Sequence, residues 1–135
     1  MTNPITIKKR RFGISIPEPL AQNLDKLARK LNSNRSEIIR QALKEYIHDY
    51  LHYLVPHECR GVLIILGGKA HERLLKIVEE YHTIICNYSH THAEKHCINT
   101  LIVSGQSSKI AELHRRLCEI PGVRVRYIPI SYDIT

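Results

Sequence analysis

The sequence predicts an α+β protein in two parts: a strand–helix–helix domain over residues 1–55 and a βαββαβ domain over residues 60–135. Three observations predict it. Apolar residues alternate strictly from Arg11 to Ile16, two amphipathic helical stripes follow, and beyond Pro56 strand-like and helix-like segments take turns to the end of the chain. At 135 residues neither part alone can bury a large core, so help from oligomerisation is expected.

The first element is a half-buried strand. Arg11, Gly13 and Ser15 fall on one face and Phe12, Ile14 and Ile16 on the other. Pro17 and Pro19 end it, and Pro19 suits the first turn of a helix striped by Leu20, Leu24, Leu27 and Leu31. Asn34 with Glu37 three residues later has capping-box spacing, with Asn in place of Ser or Thr. It opens a second helix whose apolar face is Ile38, Ile39, Ala42, Leu43, Tyr46, Ile47 and Tyr50, stopped at Pro56. A lone strand has no partner inside its own domain, so its backbone groups must pair with a second chain. Two copies make an antiparallel two-stranded ribbon that shows Arg11, Gly13 and Ser15 twice. This is a ribbon-helix-helix dimer, and such a ribbon fits the major groove of double-stranded DNA.

The boundary falls near Val55 to Arg60, after which the elements read strand 61–66, helix 70–82, strand 83–92, strand 97–104, helix 107–119 and strand 123–130. That order is the split βαβ of ferredoxin-like folds. Strand 61–66 is apolar on both faces, so the sheet face left bare by the helices should pack on another subunit. A homotetramer built as a dimer of dimers follows.

The net charge of +7 is concentrated early, in Lys8, Lys9, Arg10 and Arg11, with no acid before Glu18. A polyanion is the natural partner, the plainer alternative being a solubilising tail. On the ribbon, Arg11 and Ser15 would touch base edges, Gly13 would bring no side chain to the groove, and Lys9 and Arg10 would face phosphates. The helix start Asn34-Arg35-Ser36 would offer backbone N–H groups and the Arg35 charge to another phosphate. Cys59, Cys86, Cys97 and Cys118 lack the spacing of a disulfide scaffold and read as reduced thiols. With no signal-peptide pattern and no apolar run long enough for a membrane span, a cytoplasmic protein with no membrane contact is expected.

His90 and His92 share a face of the third element of the second domain, and Cys97 follows after the turn Ala93-Glu94-Lys95-His96, so two imidazoles and a thiolate can converge. Read alone, these residues could equally be surface histidines and a small buried thiol. In combination with Arg11-Phe-Gly-Ile-Ser-Ile16, Asn34-Arg-Ser-Glu37, Gly105 and Gly122-Val123, the set resembles the nickel-responsive regulator family, over nearly the whole chain. The resemblance implies a ribbon-helix-helix domain joined to an ACT-like sensor domain. It also implies a square-planar nickel ion held by His90, His92 and Cys97, with a fourth histidine from a neighbouring subunit's helix. The family spacing puts Glu79 at that fourth position, with His82 one turn on as an alternative. The turn before Cys97 is one residue shorter than the family pattern, and Gly13 stands where Ser or Thr is usual. A carboxylate weakens the preference for a planar nickel set, which leaves zinc, cobalt or weakly held nickel as candidates. His48, His52, His57, His71 and His114 show no ligand spacing and are expected to be solvated or capping residues. Tyr46, Tyr50 and Tyr53, at helical spacing, read as interdomain packing.

The expected function is a DNA-binding repressor, controlled by a transition metal and acting on a palindromic operator. One alternative keeps the DNA-binding role with a small-molecule effector or a degenerate sensor. A toxin-binding antitoxin is disfavoured because the C-terminal half is patterned rather than polar and aperiodic. An enzyme is not expected, since no nucleophile, base and orienting group stand together, and no phosphate loop occurs.

Overall fold

The computed structural model describes residues 7–69 and 71–131; the outer ends of both expected domains, residues 1–6 and 132–135, lie outside them. The chain divides into two compact units between Ala42 and Leu43.

In the first unit, residues 7–17 lie ahead of the helices and join no ladder within the chain. Phe12 and Ile14, the inner face of the expected ribbon, are 72% and 59% exposed. Helix α1 (Glu18–Lys30) starts behind Pro17, with Pro19 in its first turn, and carries Arg29 and Lys30 at its C-terminal end, where they complement the helix dipole. It stops in a Schellman turn: Asn32 takes a left-handed φ of 51°, Ser33 N–H donates to the Ala28 carbonyl at 2.8 Å, and Asn32 N–H donates to Arg29 at 3.3 Å. Helix α2 (Arg35–Asp49) follows at once. Its cap is the one the sequence announces, Asn34 Oδ1 accepting from Glu37 N–H at 2.9 Å. Ala28 is the one buried residue of α1, and α2 has none. Leu20, Leu27 and Leu31 remain about half exposed or more, so a single copy leaves the apolar stripe of α1 uncovered.

In the second unit the helix expected to run on toward Pro56 breaks at Tyr50, where φ −110° and ψ 12° separate α2 from the single turn α3 (Leu51–Leu54). The break turns His52 inward. Then come β1 (Glu58–Gly67), α4 (His71–Glu80), β2 (Ile85–Ala93), β3 (His96–Gln106), α5 (Ser107–Cys118) and β4 (Val123–Ser131). The sheet is antiparallel in the order β2-β3-β1-β4, the ferredoxin-like βαββαβ arrangement. Leu63, Ile65, Leu101 and Val103 from the sheet meet Leu74, Ile77, Ile110, Leu113 and Leu117 from the helices in one core. On the opposite sheet face Leu66, Ile102 and Ile128 are 38–45% exposed, as the two-sided apolar pattern of β1 implies.

Two expectations are corrected here. Helix α4 ends at Glu80 rather than 82, because Tyr81 turns into the core and its hydroxyl donates to Glu112 at 2.9 Å. His52 and His114 are not solvated but 3% and 1% exposed. His52 Nε2 and His114 Nδ1 lie 2.9 Å apart, within ring contact of Tyr50, Tyr53 and Tyr127. Apolar aromatic walls disfavour the imidazolium, so burial lowers both histidines, His52 to about 4.

Candidate functional site

The hairpin of β2 and β3 builds the candidate metal centre. A tight turn at Glu94-Lys95, with Glu94 at φ 57°, closes on the pair Ala93 and His96, and the register then sets His92 opposite Cys97 and His90 opposite Asn99. Directly opposed residues point to the same side of a sheet. From the closing pair the two strands keep even register as far as Asn87 and Ile102, so His90, His92, Cys97 and Asn99 share one face.

The donor atoms meet. His90 Nε2 lies 3.0 Å from His92 Nε2 and 3.8 Å from Cys97 Sγ, and one ligand atom from each of the three residues lies within 4.8 Å of the others. Donors bound to one ion at about 2.0–2.3 Å can be no more than about 4.6 Å apart, so the two closest separations suit a shared ion. His90 and His92 are exposed and Cys97 is half-buried, which leaves the site open to an incoming ligand.

Behind the donors stands Asn99, 2% exposed. Its Oδ1 accepts from the Tyr88 hydroxyl at 2.8 Å and from His90 Nδ1 at 2.7 Å, and its Nδ2 donates to Cys97 Sγ at 3.4 Å. A carbonyl oxygen only accepts, so His90 carries its proton on Nδ1 and presents a lone pair on Nε2. Nothing in the order of residues marked Asn99; only strand register could have found it.

Among the described residues, neither candidate for a fourth ligand, Glu79 or His82, is part of this cluster. Glu79 is exposed on α4, and His82 lies beyond the end of that helix, its Nδ1 donating to the Glu79 carbonyl at 2.9 Å as a C-terminal cap. His71 is exposed, as read from the sequence, and its ring lies 4.8 Å from that of His90.

On the segment expected to meet DNA, Lys9, Arg10, Arg11, Gly13 and Ser15 are all exposed. Asn34 is occupied as the cap of α2, and Ser36 lies exposed in its first turn, where backbone N–H groups have no intrahelical acceptors. Arg35 is less available than expected, for its guanidinium grips both carboxylate oxygens of Asp25, one at 2.6 Å, and that contact holds the Asp25 carboxyl below the usual range.

Two family models match the chain in tandem: "Ribbon-helix-helix protein, copG family" over residues 10–50 and "NikR C terminal nickel binding domain" over residues 67–128. A protein of Methanocaldococcus jannaschii described as a nickel-responsive regulator is 33% identical over 84% of this chain and 86% of its own length. One of Dictyoglomus turgidum, described in the same words, is 32% identical over 90% and 94%. The chain belongs to the nickel-responsive regulator family. It is accordingly a DNA-binding, metal-responsive transcriptional regulator and not an enzyme. An uncharacterized protein of Thermotoga maritima shares the fold alone, with a TM-score of 0.52 at 21% identity over 56% of this chain and all of that one. Among the described residues of this family member, no helix is long and apolar enough to cross a membrane.

Proposed function

We propose that the protein is a cytoplasmic nickel-responsive repressor in which residues 1–55 read DNA and residues 60–135 bind the metal and join subunits. The observation that carries this reading is the convergence of His90 Nε2, His92 Nε2 and Cys97 Sγ downstream of a ribbon-helix-helix segment. Two nitrogens and a thiolate are the soft, strong-field donors that Ni(II) and Cu(II) prefer over oxygen sets.

The uncovered faces support the assembly. Phe12, Ile14, Leu20, Leu27 and Leu31 are apolar and exposed, and burial against a second copy would remove them from water as the ribbon forms. The bare sheet face carrying Ile102 and Ile128 would join two such dimers into a tetramer. Metal bound at the sensor would then favour the arrangement of ribbons that fits a palindromic operator, acting through its differential affinity for the two arrangements.

The exposed carboxylate of Glu79 favours a second reading, in which zinc or cobalt with mixed nitrogen, sulfur and oxygen donors is the effector. Titrating the reduced protein with Ni(II), Co(II) and Zn(II) separates these readings. A thiolate-to-nickel charge-transfer band that vanishes in Cys97→Ala, together with nickel-dependent footprints on two half-sites, is expected. Footprints that respond to zinc or cobalt and ignore nickel would replace the first reading by the second.

A further inference from the structure

We propose that the fourth ligand is His71 of the same subunit, so that this chain completes its metal site without the neighbour's helix. The inference rests on the metal-binding reading above and departs from the ligand set that the family resemblance implies. His71 is the first residue of α4. The centre of its ring lies 4.8 Å from that of His90, the planes inclined by 58°. His90 and His92, two members of the donor cluster, have the same 4.8 Å separation.

His71 also lines a small cavity with Cys97 and Asn99, to which Gly67 and Gly68 contribute as well. Those two glycines set where α4 begins. Both have left-handed φ angles, 81° and 87°, and a Cβ on Gly68 would stand 2.6 Å from Val123 Cγ1. The backbone at Gly68, three residues ahead of the start of α4, therefore runs tight against β4.

The chemistry agrees with the placement. An imidazole added to two imidazoles and a thiolate gives a three-nitrogen, one-sulfur set, whereas Glu79 would give a weaker oxygen donor. Glu79 lies eight residues along the same helix, about 12 Å further by helical rise, so in one subunit both cannot serve. His71 is not one of the three clustered donors, but its side chain is exposed, so rotation of its ring would carry it toward an ion held by His90 and His92.

The test compares wild type with His71→Ala, Glu79→Ala and Cys97→Ala in nickel titrations followed by absorbance, with far-UV circular dichroism as the folding control. Loss of a direct ligand should weaken binding by no less than the roughly 10- to 100-fold typical of losing a group hydrogen-bonded to one. His71→Ala should do so and shift the ligand-field bands, while Glu79→Ala leaves both unchanged. In the zinc-loaded wild type, the His71 ring nitrogens should show the shift of a metal-bound imidazole by NMR. A His71→Ala protein that matches wild type in affinity and bands, or a His71 ring unmoved by zinc, overturns the assignment while leaving the Cys97-dependent site in place. Absence of any Cys97-dependent nickel band in wild type would overturn the underlying metal reading, and His71 with it.

Discussion

His90 Nδ1 donates to Asn99 Oδ1 at 2.7 Å across the β2–β3 ladder, and the same oxygen accepts the Tyr88 hydroxyl. Asn99 thus fixes the tautomer of one metal donor while its amide faces Cys97 Sγ, another. Asn99→Ala should lower nickel affinity roughly 10- to 100-fold while keeping the thiolate charge-transfer band. Asn99→Asp, which keeps an acceptor for His90, should recover much of that loss. Equal affinity in Asn99→Ala and wild type, measured by competition with a chelator, would remove Asn99 from any positioning role.

The exposed basic segment makes a two-part prediction. Arg11→Ala should cost about 1–3 kcal/mol of discrimination at one base pair of the operator. Lys9→Ala should weaken every DNA sequence alike and reduce the salt slope by about 1. Binding curves on specific and random duplexes at several salt concentrations distinguish the two. Identical losses on all sequences would mean that Arg11 does not read bases.

Acid should destabilise the metal-free protein through the buried imidazole pair. His52 titrates at about 4 when folded against 6.5 in the unfolded chain, burial being the main cause and His114 a lesser one. Between those values the unfolded chain binds more protons, so stability is complete above pH about 6.5 and declines as the pH falls toward 4. His52 alone would contribute up to ~3 kcal/mol of that decline. Urea unfolding at pH 7 and pH 5 should show a smaller difference in His52→Leu than in wild type. An unchanged difference would assign the acid sensitivity to other groups.

Gly61 is held small by its neighbour across the sheet. A Cβ there would lie 2.4 Å from the ring of Tyr127, which is buried with its hydroxyl 2.7 Å from Cys59 Sγ. Gly61→Ala should therefore destabilise the second unit by about 1–3 kcal/mol, the usual penalty for overfilling a packed core. Thermal unfolding would reveal it, and a melting temperature equal to wild type would show that Tyr127 can move aside at no cost.

Much of this was legible in the sequence because periodicity and capping are local. The Asn34 cap and the six elements from Glu58 on each depend on residues a few positions apart and formed within about three residues of their expected places, whereas the alternation from Arg11 to Ile16 forms no strand within the chain. His90, His92 and Cys97 were also legible, being separated only by a hairpin. The histidines outside that hairpin were not. His52 and His114 are 62 residues apart in sequence, and no spacing rule joins them.

The sequence by itself determined the order of elements from Glu58 onward, the basic segment ahead of α1 and the cluster of two histidines and one cysteine, since each follows from residues close together along the chain. Tertiary structure alone decided that Asn99 backs the donors, that His71 stands beside His90 while Glu79 faces solvent, and that His52 and His114 share a buried aromatic pocket. The reason is physical: strand register and the tight approach of β1, α4 and β4 bring together residues whose separation along the chain carries no information about their separation in space.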